Sequence, residues 1–373
     1  MDSQRLEIHP DIGRASTLPA RFYSDPGIYR TLLEHVFFPS WQFVGTSDDV
    51  KVPGQTRPFT LLEGSLDEPL VLTRDRDDRV HCLSNVCTHR GTLVCEGESV
   101  VAHLRCRYHG RRFALDGKMV SMPEFEGVDG FPSERDDLPH VALGVWEKLL
   151  FASLAPGVPL EEVLRPIRER CGFLPLASAV FAPERSRDYL VNANWALYVD
   201  NYLEGFHIPY VHAGLAQQID YGSYRTELFK WCNLQLGVAA SGEEAFSPPA
   251  SSPDHGNKVA AYYWWLFPNT MLNFYPWGLS VNVVKPLAAD RTRVSFLSYV
   301  WDESKLDRGA GAALDRVERE DEAVVESVQR GVRSRLYDRG RYSPAREQGV
   351  HHFHRLLAAA LADSSPPAQL RQG

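Results

Sequence analysis

An α+β fold in two parts is predicted from three observations. Residues from about 43 to 155 form a succession of short β-rich runs separated by turn residues. Residues 224–301 repeat that pattern with longer strands, and amphipathic helical patterns lie on either side of this second set. Runs of strands followed by helices give an antiparallel sheet with helices packed against it. A chain of 373 residues holds two or three domains at roughly 150 residues each. The expected division is 1–42, an N-terminal helical segment packing on the second domain; 43–155, an all-β domain; and 156–373, the α+β domain.

Taken in order, Asp25-Pro26 starts a helix, with Asp as cap and Pro at the first position, and Ile28, Leu32, Leu33, Val36 and Phe37 form its apolar side. VHCLSNVC, LRCRYHG, RRFALDGKMV and LLFASLA are strands, and Asp116-Gly117 is a hairpin turn. Residues 159–182 read as a helical connection, and Leu190 to about Leu215 as a helix interrupted at Pro209. Strands are expected at 224–238, 259–268, 270–287 and 291–301, with a mobile loop rich in Ser and Pro expected at 241–257. A long helix at 310–336 and a last helix at 344–361 precede the tail SSPPAQLRQG, which is expected to fray. There is no internal repeat.

Composition narrows the function. Hydrophobic content of 44% and charge of 24% suit a globular protein. The net charge of −8 argues against a nucleic-acid surface. No run reaches the ~18 apolar residues of a membrane span, and MDSQRLEIHPDIGR lacks the pattern of a secretory signal.

Cys87-Thr-His89 and Cys106-Arg-Tyr-His109 each pair a thiol with an imidazole. Two thiolates on one iron and two neutral imidazoles on the other hold a Rieske [2Fe–2S] cluster, and the neutral ligands raise its reduction potential. A zinc site uses the same residue types but pairs Cys with Cys; buried core residues are the third reading. Gly91 and Gly110 follow Arg90 and His109 and let backbone amides approach the sulfurs. Cys82, Cys95, Cys171 and Cys232 read as buried free thiols, with Cys95 in reserve as a ligand. A thiolate-bound cluster fits a reducing cytoplasm.

A one-electron centre needs an acceptor. His207 and His212 lie on either side of Pro209. On an ideal helix they would diverge by about 140°, so a break at Pro209 is expected to bring them together. The carboxylate comes from periodicity. Leu314, Val317, Val324, Val328 and Val332 form an apolar stripe with one position missing, and Asp321 fills it. A carboxylate there is costly unless paired or metal-bound, and two His with one carboxylate is the facial triad of non-haem Fe(II) oxygenases. A buried salt bridge or a mis-phased helix are the other readings of Asp321. Glu318, Glu320 and Glu322 read as solvent-facing. Glu204, one turn before His207, is either a surface carboxylate or a group that orients metal-bound His.

With both motifs placed, nearly the whole chain resembles the Rieske non-haem iron oxygenase α subunits. NANWALYVDNYLEGFHIPYVH, FALDGKMVSMPEFEG, VESVQRG and RYSPAREQGVHHFHRLL look closest to the choline monooxygenase-like branch, alongside glycine betaine and carnitine monooxygenases and stachydrine demethylase. The resemblance implies a helix-grip-like catalytic domain, with Cys87, His89, Cys106 and His109 as cluster ligands and His207, His212 and Asp321 as ligands of mononuclear Fe(II). It also implies a head-to-tail homotrimer in which Glu204 links the cluster of one subunit to the iron of the next. A separate NAD(P)H-dependent reductase carrying flavin and an iron–sulfur centre would supply electrons; the chain itself has no dinucleotide fingerprint.

The implied activity is hydroxylation or N-dealkylation of a small substrate with O2, best a quaternary amine or betaine. The aromatic stretch Tyr262, Tyr263, Trp264, Trp265, Phe267, Phe274, Tyr275 and Trp277 suits either a cation-binding cage or ordinary sheet core. Lys285 reads as a solvated strand-end lysine or a partner for a substrate carboxylate. His351, His352 and His354 read as packing residues of the last helix. The alternatives are the same chemistry on an aromatic or secondary-metabolite substrate, and a Rieske electron-transfer protein without oxygenase activity.

Overall fold

The computed structural model describes residues 6–212, 214–312 and 314–362; the tail SSPPAQLRQG lies outside them. Contacts divide the chain into two units. Among the described residues, one comprises 6–37 and 158–362, the other Phe38–Gly157.

The second unit is built of small antiparallel sheets. Gln55–Leu61, Glu68–Arg74 and Val80–Ser84 form a meander that Ser99–Val100 extends, and Gln42–Thr46 pairs with Leu149–Ser153, which pairs with Ala142–Trp146. Leu104–Arg105, Arg112–Phe113 and Met119–Ser121 make a third sheet. The expected turn at Asp116-Gly117 is present. Ala114 N–H donates to Lys118 O at 2.7 Å, and Gly117 has φ +88°, a left-handed geometry that glycine adopts without cost.

The first unit is an eight-stranded antiparallel sheet with helices. Val180–Phe181 and Arg187–Val191 both pair with Arg291–Val300, followed by Gly278–Ala288, Thr270–Tyr275, Val259–Leu266, Cys232–Val238 and Arg225–Leu228. The helices are α1 (Pro26–Leu32), α2 (Leu160–Cys171), α3 (Trp195–Tyr202), α4 (Ile208–Val211), α5 (Leu215–Gln218), α6 (Leu314–Gly331) and α7 (Gln348–Ala362). The expected cap of α1 forms, with the Asp25 carboxylate accepting from Gly27 N–H at 2.6 Å and Ile28 N–H at 3.2 Å. The N-terminal segment lies against this unit. Phe37 meets Trp195 edge-on at 4.8 Å, and His9 O lies 2.8 Å from His351 Nε2.

Several sequence expectations shift. Leu190 lies in a strand, not a helix, because Arg187–Val191 finds a full partner in Val294 and its neighbours. The strands expected at 224–238 and 270–287 are each split in two by turns. The 241–257 loop is tied down by Asp254, which is fully buried and accepts from Arg170 at 2.5 Å and Arg225 at 2.9 Å.

The largest shift concerns α6. Its inward stripe is Leu314, Glu318, Asp321, Val325, Gln329 and Val332, whereas Val328 is 42% exposed. Val324 and Val325 are adjacent, so either phase satisfies the valines. Polar partners decide it. Tyr198 O–H donates to Glu318 at 2.5 Å, and Gln329 accepts from Asn194 N–H at 2.7 Å while donating to Tyr23 O at 3.3 Å. Glu318 is therefore buried rather than solvent-facing. Asp321 belongs to both stripes.

Candidate metal centres

In the all-β unit the four motif residues sit on two loops with one backbone design. Gly91 N–H donates to Cys87 O at 3.0 Å, and Gly110 N–H to Cys106 O at 3.0 Å. Cys87 N–H donates to Thr92 O and Cys106 N–H to Arg111 O, each at 2.8 Å. Gly91 and Gly110 have φ +72° and +76°. The thiols of Cys87 and Cys106 join the apolar cluster of Val71, Leu83, Leu104 and Phe113, while His89 is half-buried and His109 exposed. The two Nδ1 atoms face each other at 3.1 Å. Burial raises the Cys87 thiol against hydrogen bonds from the His89 and Arg90 amides, and the Cys106 thiol beside it pushes the same way. Two inward sulfurs and two outward imidazole nitrogens converging from opposed loops fit a [2Fe–2S] cluster with a Cys side and a His side. The reserve candidate Cys95 is engaged elsewhere, with its Sγ 3.2 Å from Gly97 O and 3.4 Å from Thr56 Oγ1.

Asp136, which sequence reasoning missed, clamps both loops. Its carboxylate accepts from Arg111 at 2.5 Å and its backbone oxygen from Thr88 at 2.7 Å. Arg111 is 2% exposed, and a buried guanidinium demands such a partner.

In the α+β unit, Asn194 caps α3 through Ala196 N–H at 2.9 Å, and the helix ends at Leu203. The chain breaks here, before Pro209 rather than at it. Glu204 accepts from the Phe206 and His207 amides, and a Cβ on Gly205 would lie 2.6 Å from the Tyr224 ring. Pro209 lies in the first turn of α4, where a missing N–H costs nothing. His207 and His212 flank that single turn, and His212 leaves it with φ −111° and ψ 71°. The two rings thus converge, with centroids 5.0 Å apart.

α6 supplies the third group. Asp321 Oδ1 lies 2.9 Å from His212 Nε2 and 3.4 Å from His207 Nε2. One ligand atom from each of the three residues lies within 4.8 Å of the others, an arrangement able to hold a metal ion. The outer nitrogens are spoken for as well: His207 Nδ1 donates to Glu204 at 2.6 Å and His212 Nδ1 to Glu320 at 2.8 Å. Each imidazole is thereby fixed with Nε2 free for a metal, the usual orientation of metal-bound His. Burial pulls the His212 imidazole down, yet the carboxylates of Asp321 and Glu320 outweigh it and raise its pKa. Glu320 is therefore not merely solvent-facing. Its signal was hidden in the acidic run from Glu318 to Glu322, where neighbouring positions differ by only about 100° around the helix.

A cavity of about 110 Å³ adjoins the triad. Of the eight aromatic residues expected as a cage or core, Tyr263 and Tyr275 line it; Trp264, Trp265, Phe274 and Trp277 are buried in the core. Tyr198, Tyr202 and Tyr224 line it too. Lys285 is not among its lining residues. His351 and His354 pack in α7, the latter 2.7 Å from Tyr342 O–H and 2.8 Å from Asp200.

Comparison with known proteins agrees with this geometry. Residues 40–132 match the family model for the Rieske [2Fe-2S] domain, and residues 179–363 that for the ring hydroxylating alpha subunit (catalytic domain). The chloroplastic choline monooxygenase of Arabidopsis thaliana is 34% identical over 92% of this chain and 82% of that protein. The chain belongs to the Rieske oxygenase α subunits. The carnitine monooxygenase oxygenase subunit of Escherichia coli (strain K12) is 30% identical over 94% of this chain and 95% of that protein. A solved quaternary ammonium Rieske monooxygenase, described for carnitine oxidation by gut microbiota and inter-subunit electron transfer, superposes with a TM-score of 0.76 at 25% identity, covering 95% of this chain and 99% of that one. This Rieske oxygenase is thus an O2-dependent oxidoreductase that uses a [2Fe–2S] cluster and mononuclear iron. The reading as a simple electron carrier is overturned by the catalytic domain. No helix among the described residues is long and apolar enough to cross a membrane.

Proposed function

We propose that this Rieske oxygenase is the terminal component of a monooxygenase system acting on a small quaternary amine. Cys87, His89, Cys106 and His109 would hold the cluster, and His207, His212 and Asp321 the Fe(II). The observation that carries the reading is the triad opening onto a small cavity lined by five tyrosines. At about 110 Å³ it is smaller than the ~150 Å³ engineered cavity that admits benzene, which favours a compact aliphatic head over a fused aromatic. Aromatic walls attract quaternary ammonium by ~0.5–2 kcal/mol each, and the relatives are named for choline and carnitine.

When bound, the iron supplies O2 activation and C–H oxidation, and the cluster supplies electrons singly. The chain's own residues orient the ligands through Glu204 and Glu320, hold the substrate beside Asp321, and keep water from the buried wall of the cavity. Oxidation at a carbon beside nitrogen gives either an alcohol or N-dealkylation.

The proposed domains are an N-terminal helical segment 1–42, a Rieske domain 43–155 and a catalytic domain 156–373; contacts divide the chain close by, after Phe37 and after Gly157. The assembly is a cytoplasmic homotrimer in which Glu204, already bonded to His207, carries electrons from the neighbouring subunit's cluster. An NAD(P)H-dependent reductase with flavin and iron–sulfur centres supplies them. Two measurements test this. Substrate-dependent O2 uptake with choline, glycine betaine, carnitine and stachydrine should show turnover of at least one, and uptake only with aromatic acids would refute the substrate class. Glu204→Gln should slow single-turnover oxidation with both metals retained; an unchanged rate removes the bridge.

A further inference from the structure

The cavity beside the triad has an uneven chemistry. Its lining residues include the carboxylates Glu204, Glu318 and Asp321 and no lysine or arginine. Glu204 and Asp321 are engaged by the histidines. Glu318 is not. It is 3% exposed, its Oε2 accepts from Tyr198 at 2.5 Å, and its Oε1 has no partner. A buried carboxylate oxygen left so is costly unless something in the cavity meets it.

A second lining residue repeats the pattern. Gln235 is 1% exposed; its Nε2 donates to Tyr202 O at 2.5 Å, and its Oε1 has no partner. The two unpartnered buried side-chain atoms of the lining are thus both acceptors, one of them on a carboxyl group. Such a wall suits a positive charge and a hydroxyl donor. No lysine or arginine of the lining stands ready to balance an anion. The neighbouring hollow does contain arginines and shares Phe296 and Leu314 with the cavity. Its Arg185 pairs with Asp307 at 2.8 Å and Arg316 with Glu320 at 3.0 Å, so these two already have counter-charges, while Arg187 donates to the backbone oxygens of Glu184 and Ser186 at 2.8 Å.

Geometry also places the charge. Glu318 precedes Asp321 by three residues on α6, so the two side chains share a face about 4.5 Å apart along the axis. A group held at Glu318 therefore lies beside the triad, in the same cavity.

We propose that Glu318 is the counter-ion for the substrate's cationic head, and that the preferred substrate is a small ammonium cation bearing a hydroxyl and no carboxylate. This rests on the quaternary-amine reading above and narrows it. Burial pushes the Glu318 carboxyl well above its ordinary range, with Asp321 and Glu322 acting the same way, as expected of an acid whose cation is not yet in place.

Anaerobic calorimetry on the holoenzyme tests the proposal with choline, its neutral isostere 3,3-dimethylbutan-1-ol, and glycine betaine. Choline should bind at least about tenfold more tightly than either. Glu318→Gln, which keeps the shape and an acceptor for Tyr198, should remove the preference for choline over the neutral alcohol. The proposal is overturned if the wild type binds the neutral alcohol or glycine betaine as tightly as choline, or if Glu318→Gln keeps wild-type affinity for choline. The wild-type comparison decides the matter should the variant fail to fold. Tight glycine betaine binding with O2 uptake would sink this inference alone, whereas failure of every ammonium compound to bind or drive uptake would sink the parent reading with it.

Discussion

The two candidate metal centres are built on opposite plans. The cluster site consists of two local loops with the same backbone hydrogen bonds, each closed by a left-handed glycine. Each loop carries its thiol and imidazole a few residues apart. The iron site joins a single helical turn to a helix whose Asp321 lies 109 residues beyond His212. The first depends on short-range geometry and needs clamping between loops; the second depends on the docking of α6 against α3. Local sites announce themselves as motifs. Assembled sites leave only a polar residue where an apolar one is expected.

The sharpest way to separate the two is Asp321→Ala. It should abolish turnover and lower iron from about three to about two per chain, leaving the visible spectrum of the cluster unchanged. Turnover at the wild-type rate would mean that the triad is wrongly assigned.

The reciprocal experiment is Asp136→Ala. It strands the buried Arg111 and removes the acceptor of Ser133, while the Thr88 bond to the backbone oxygen stays, and should destabilise the all-β unit by about 3 kcal/mol, read as earlier thermal bleaching of the cluster. The effect depends on pH. Burial raises the Asp136 carboxyl, but the Ser133 amide and Arg111 outweigh it and hold it below its ordinary value. A depressed carboxylate contributes fully above the unfolded pKa of ~3.9, and that contribution drains away as pH falls through the lower folded value. The gap between wild type and variant should therefore be full at neutral pH and shrink in strong acid. A gap constant down to the most acid point would refute the clamp.

The mildest change is Glu320→Ala. It frees His212 Nδ1 and should weaken Fe(II) binding by roughly 10–100-fold, measured by competition with a chelator, while cluster absorbance stays put. Unaltered iron affinity would show that Glu320 has no part in orienting His212.

Much of this was legible in the order of residues. Asp25-Pro26, Asp116-Gly117 and the Cys-His pairs act within a few residues, so their geometry follows from local preferences of cap, turn and ligand. The apolar alternation of the long strands marked the antiparallel sheet for the same reason. The break before His207 was misplaced by a few residues, because Gly205 matters through its approach to Tyr224, which lies on a separate segment.

The phase of α6 was beyond sequence reasoning altogether. Adjacent Val324 and Val325 allow two stripes, and only the partners Tyr198, Asn194 and Tyr23 show that Glu318 and Gln329 face inward. A buried polar residue costs little when its hydrogen bonds are met and much when they are not, and those partners come from distant chain. The sequence by itself determined which chemistry this protein carries: thiolate, imidazole and carboxylate in the proportions of two metal centres. Only the tertiary structure decided which of five consecutive residues on one helix turns between the two histidines, which supports one of them from behind, and which is buried with a carboxyl oxygen unpartnered, because those placements depend on where α6 meets the rest of its unit.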